Sequence, residues 1–165
     1  MLISTIISIV VFVVYVTAIL TKFKTVPESL SNTYYMLGKW GPLFTLMMFA
    51  CAFTILPPML ELTNPNFQFV AFFCPAAICF VGAAPNFKKD QMECKVHTIS
   101  AYVSAIAGLL WVAFLTRYWW LIPISIVIIG LLAYLTKTMQ SAKTWWLEMV
   151  AFLAVYSALL IGVWG

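Results

Sequence analysis

Six apolar stretches, at residues 2–21, 40–60, 67–84, 96–115, 120–136 and 145–163, take up most of this chain, and eight of its nine Lys and Arg residues fall in alternate gaps between them. The first gap holds Lys22, Lys24 and Lys39, the third Lys88, Lys89 and Lys95, and the fifth Lys137 and Lys143, while Arg117 stands alone in the fourth. A bilayer core of about 30 Å takes roughly 20 helical residues to cross. Basic residues in short connections are kept on the cytoplasmic side. The pattern therefore predicts an all-α, polytopic membrane helix bundle with six transmembrane helices and both termini outside (N-out, C-out).

Only 8% of the residues are charged, against about a quarter in a soluble domain. Six crossings use most of the 165 residues, so one transmembrane domain spanning residues 1–165 is expected. A membrane β-barrel is a poor fit, because its strands alternate apolar and polar residues and Ile6 to Val14 is apolar almost throughout. The first stretch reads as a retained span rather than a cleaved signal, since its charges follow it instead of preceding it. The net charge of +4 is divided among three connections and forms no basic stripe. It points to anionic lipid head groups as partners and not to nucleic acid. A bacterial inner membrane is the expected setting, with a homo-oligomer or a membrane partner as further expected company. Cys51, Cys74 and Cys79 lie inside apolar stretches and Cys94 on the expected cytoplasmic side. They are read as soft core residues, not as a disulfide framework.

Several local features carry expectations of their own. Pro57-Pro58 removes two backbone donors and is expected to kink or end the second span, and Pro75 makes the third irregular. Ser29 or Ser31 is placed to cap a helix that begins before the bilayer. Ser100, Ser104 and Gly108 recur at four-residue spacing, which permits close helix contact in a membrane. The short link around Arg117 predicts an antiparallel hairpin of the fourth and fifth spans. Trp119-Trp120, Trp145-Trp146 and Trp164 are expected at membrane edges, where amphipathic rings are favoured.

Two polar groups have the chemistry of a site. Asp90, Glu93, Cys94 and His97 share one helical face and include metal-ligand types. The preferred reading is a capping box, with Asp90 as the cap and Glu93 reaching back to it; no metal is expected. Glu148 lies about one turn inside the last span, where a carboxylate faces the bundle or the head groups. It is expected to pair with His97 or a nearby lysine, fastening helix ends or serving a ligand. Ser100 stands three residues from His97, but no third orienting group completes a nucleophilic set. No phosphate-binding glycine loop or metalloprotease motif occurs, and one histidine cannot hold a haem from both sides. No cofactor is expected.

Val81-Gly82-Ala83-Ala84-Pro85-Asn86-Phe87, followed by His97-Thr98 and a helix of small residues, resembles a layout found in small six-span membrane proteins of the DRAM-like kind and related bacterial families of unknown function. There a Gly and a Pro close one span, a polar loop follows and a His opens the next. The resemblance implies a six-span fold and no catalytic residue.

The leading functional expectation is a non-enzymatic membrane protein that binds lipid or an apolar ligand, or takes part in a membrane assembly. Second comes a small transporter or channel with a cavity near spans two, three and six and Glu148 as its buried charge. Third comes a lipid-modifying enzyme built on His97, Asp90 and Glu93.

Overall fold

The computed structural model describes residues 1–164, and every regular element among them is helical. The helices are α1 (Leu2–Phe23), α2 (Thr33–Met36), α3 (Pro42–Glu61), α4 (Gln68–Ala83), α5 (Gln91–Leu110), α6 (Leu121–Leu135) and α7 (Lys143–Trp164), with a π-helical turn over Trp111–Leu115 extending α5. Five segments are long and apolar enough to cross a membrane: Leu2–Phe23, Gly38–Glu61, Pro65–Ala83, Gln91–Leu115 and Lys143–Trp164. This is a helical bundle compatible with a multi-pass membrane protein. The stretch expected as a fifth span, 120–136, is instead a 15-residue helix. At about 1.5 Å per residue it reaches roughly 22 Å, less than a hydrocarbon core of about 30 Å.

The direction of each helix follows from contacts at the bundle ends. Trp145 donates its backbone N–H to the Glu28 carbonyl (3.0 Å), His97 meets Ser31, and Lys88 meets Asn32. The three lysine-bearing connections thus gather at one end, hereafter the basic end. At the other end the Trp111 indole N–H donates to the Thr63 hydroxyl (2.7 Å), tying the end of α5 to the end of α3. Since α5 leaves the basic end and α7 starts there, α6 must carry the chain back along the bundle.

α1 packs on α3, α3 on α4 and α4 on α5, and α7 closes this row by touching both α1 and α5. α6 lies outside, packed chiefly on α7 and only slightly on the π-helical turn. The expected hairpin of α5 and α6 is therefore not what forms. The π-helical turn and a left-handed Arg117 (φ 63°) turn the chain away before α6 begins. Lys24 (φ 54°) and Lys137 (φ 55°) take the same left-handed conformation. All three are cations just past a helix C-terminus, where the helix dipole favours positive charge.

α1 turns its polar residues inward. Thr5, Ser8, Phe12 and Ile19 are buried, whereas Ile3, Ile6, Val10 and Val14 are exposed. That arrangement suits hydrocarbon solvent. Of the alternatives at Pro57-Pro58, an end to the second span does not occur. α3 runs unbroken past Pro57 and Pro58 to Glu61, and α4 passes through Pro75. In lipid, leaving the helix would strand more backbone groups than the prolines already do. Trp145, at the start of α7, is buried against the bundle (1% exposed), whereas Trp119 and Trp164 are exposed.

Two glycines mark close approaches between the packed helices α3, α4, α5 and α7. A Cβ on Gly82 would lie 2.9 Å from the Met48 Cβ, and one on Gly108 would lie 3.1 Å from Val155 and 3.3 Å from the Cys74 sulfur. Gly130, by contrast, has nothing within 4 Å. Gly82→Val is therefore expected to destabilise by about 1–3 kcal/mol through overpacking. Gly130→Ala should instead stabilise by up to about 1 kcal/mol through helix propensity. Thermal unfolding of the detergent-solubilised protein checks both signs.

Candidate functional site

Pro85 has no N–H, so the Val81 carbonyl four residues earlier loses its normal helical partner. His97 replaces it. The imidazole Nδ1 lies 3.1 Å from the Val81 carbonyl oxygen and 3.0 Å from that of Ala84. Two carbonyls facing one nitrogen assign the proton to Nδ1. Nε2 then accepts a hydrogen bond from the Ser31 hydroxyl (2.8 Å). The ring also stacks on Phe87 at 4.2 Å between centroids. The next open carbonyl of α4, Gly82, accepts from the Thr45 hydroxyl (2.9 Å).

Asp90 caps α5 as expected, accepting the Glu93 N–H at 2.7 Å. The Glu93 side chain does not return to the cap. It accepts from the Asn86 N–H (2.8 Å) and side-chain amide (3.3 Å), because the Asp90 N–H is already held by the Asn86 carbonyl. Cys94 is exposed. These four residues thus act separately, and no set of three His, Cys, Asp or Glu among the described residues is arranged to hold a metal ion.

Glu148 and His97 form no bond with each other. Both instead grip adjacent residues of the connection between α1 and α2. Glu148 Oε2 accepts the Leu30 N–H at 2.6 Å, next to the Ser31 that serves His97. Leu30 and Ser31 are 2% and 4% exposed, so this coil dips into the basic end of the bundle. Ser29, rather than Ser31, supplies the turn before α2, accepting the Asn32 N–H. Outside, Lys88 links the same coil by a hydrogen bond to Asn32 (2.6 Å) and an exposed ion pair with Glu28 (3.7 Å).

Beneath Leu30 and Ser31 lies a pocket between α3, α4, α5 and α7, with about 650 Å³ of unfilled space including its mouth. The α5 wall is made of Ala101, Ser104, Ala105 and Gly108, whose small side chains leave the room. Phe152, Val155 and Tyr156 of α7 stand opposite, with Met48 and Ile78 behind. Among the described residues, Glu148 is the one charged side chain on the wall. The Tyr156 hydroxyl is already engaged with Ser8 (3.0 Å) and that of Ser104 with the Ala101 carbonyl (2.9 Å).

The two candidates singled out in sequence, Glu148 and His97, are therefore brought to one end of one pocket through the coil between them. Asp90 and Glu93 stay outside it. Tyr156 and Leu30 were missed. Leu30, a lone apolar residue among serines, was the one visible sign that this connection is buried. No family model, curated protein or solved structure matches the chain.

His97→Ala would leave the Val81 and Ala84 carbonyls and the Ser31 hydroxyl without their partner, a loss of about 1–3 kcal/mol for each buried group left unpaired. Ser31→Ala removes only one bond and should cost about 1 kcal/mol. His97→Ala is thus expected to lower the unfolding temperature more than Ser31→Ala, as read by thermal unfolding of both variants in one detergent.

Proposed function

We propose that this chain is a multi-pass membrane protein that holds a lipid or another apolar ligand in the pocket between α3, α4, α5 and α7. The pocket is the observation that carries the reading. Its enclosed part is small, about 70 Å³, and it opens through a mouth, so a ligand would seat a narrow alkyl portion there with the remainder outside. Its wall is apolar apart from a few polar groups, the combination that seats a chain and orients a head group. The lipid-modifying reading is less well supported, because both nitrogens of His97 are committed to the fold. The transporter reading shares this pocket, but it also needs a charged or watery route through the bundle, and Glu148 alone supplies charge on the wall.

The same reading gives six crossings with both termini outside, in a cytoplasmic membrane of the bacterial type. The gathering of Lys22, Lys88 and Lys143 with their neighbours at one end favours that end as cytoplasmic. The short α6 is accommodated by local thinning of the bilayer and by anchors at its ends, with Trp119 and Trp120 at its start. Its exposed apolar face, including Ile126, Val127 and Leu131, then meets lipid.

Two measurements test this. Native mass spectrometry of the purified protein should find bound lipid or apolar adduct that Ala105→Phe and Ala151→Phe remove while the protein remains folded. Adduct retained by both variants would place the ligand elsewhere. For orientation, the exposed Cys94 should resist a membrane-impermeant maleimide in intact cells and react once the membrane is opened. Labelling in intact cells would invert the topology.

A further inference from the structure

The pocket's polar groups can be counted, and the count narrows the ligand. Ser31 gives its hydroxyl proton to His97, Ser104 to the Ala101 carbonyl, and the Tyr156 hydroxyl shares a hydrogen bond with Ser8. Glu148 uses one carboxylate oxygen, Oε2, for the Leu30 N–H. Its other oxygen, Oε1, has no hydrogen-bond partner among the described residues, although the side chain is only partly exposed and lines the pocket. No Lys or Arg stands on the wall, and the one ion pair among the described residues, Lys88 with Glu28, lies outside the pocket. The site therefore offers an acceptor oxygen on an acid, at the end of an apolar slot, with no cation of the protein's own to meet it. An acid in such surroundings stays ionised only when it is paired, and otherwise takes up a proton, so an ammonium partner is what would hold it as a carboxylate.

We propose that the pocket selects amphiphiles with a protonated amine head, the ammonium group donating to Glu148 Oε1 and the alkyl chain lying along the small-residue face of α5. This rests on the proposed pocket function and names the chemistry that it prefers. A hydroxyl head can make the same contact, but without charge. An ionised acid head meets repulsion from Glu148. A bare alkane gains only the slot. Hydrogen bonds to a charged partner exceed neutral ones by an amount that corresponds to about tenfold in affinity. The small wall explains where the chain is accommodated: Ala101 and Ala105 leave space that larger residues would fill.

The test uses the full chain in phosphatidylcholine nanodiscs, with a native control and empty nanodiscs to subtract partitioning. Radiolabelled dodecylamine is the probe, and dodecanol and dodecanoic acid are the competitors. The native protein should bind dodecylamine about tenfold more tightly than dodecanol, and dodecanoic acid should compete worst. Glu148→Gln should bring the amine down to the level of the alcohol. The amide can still accept the Leu30 N–H, so the fold has the means to survive. Should that variant fail to fold, the ranking of the three head groups on the native protein decides alone. Equal binding of amine and alcohol by the native protein, abolished for both by Ala105→Phe, would overturn the amine assignment and keep the apolar pocket. Saturable binding of neither, with Ala105→Phe indistinguishable from native, would overturn both.

Discussion

In hydrocarbon no water is present to satisfy a backbone group left open, so each must find a partner within the protein. At the basic end that constraint organises the fold. Pro85 leaves the Val81 carbonyl without its helical donor, and His97 supplies one. The same ring takes the Ala84 carbonyl and binds Ser31, while Thr45 serves Gly82. The coil ahead of α2 gives its Leu30 N–H to Glu148, and the α4–α5 connection gives the Lys88 N–H to the Tyr35 hydroxyl. Remove the proline and the histidine has less to do there. The layout of Gly, Pro and His around the α4–α5 connection thus has a mechanical content that does not depend on catalysis.

A pocket beneath such a seal follows from how helices associate in lipid. Burying apolar surface against other helices gains little over leaving it in the bilayer, so contact depends on close fit. α3, α4 and α5 achieve that fit through Gly82 and Gly108, where backbones approach to within a methyl's width. Between α5 and α7 the fit is local. Gly108 meets Val155, but Ala101, Ser104 and Ala105 face Phe152 and Tyr156 across open space. The four-residue spacing of small residues, which predicts tight packing along its whole length, here yields one tight contact and a cavity wall.

The helices and their ends were legible because hydrophobic runs and lysine positions report the solvent directly. The boundaries of α1, α3, α4 and α7 fall within about two residues of the apolar runs, the usual uncertainty for helix ends. The gathering of Lys22, Lys88 and Lys143 with their neighbours at one end was equally readable. Three things were not. The neighbour of α6 depends on a π-helical turn and one left-handed arginine, and no periodicity signals either. The partner of Glu148 is a backbone N–H far away in the sequence, and every residue but proline carries one, so side-chain chemistry could not point to Leu30. An end to the helix at Pro57-Pro58 was the wrong alternative, because stopping there strands further backbone groups in lipid.

Glu148 shows why fastening is an incomplete account of this acid. Holding the Leu30 N–H needs one acceptor, and a neutral amide at the same position would provide it without carrying charge into the bundle. A carboxylate adds a second acceptor and a charge. Both add desolvation cost, which a donor, a cation or uptake of a proton offsets. Beyond the Leu30 N–H, no protein donor or cation is bonded to it among the described residues, and the one ion-paired lysine, Lys88, is engaged with Glu28 and Asn32 at the surface. His97 offers a contrast at the same end of the bundle. Each of its ring nitrogens has a protein partner, so its chemistry is used up in the fold. Of the two groups that grip the coil, only the acid retains unspent hydrogen-bonding capacity, and that capacity faces an apolar slot bounded by small side chains. The difference between a residue that is consumed by its structure and one that is not is what supports the proposed ligand contact at Glu148.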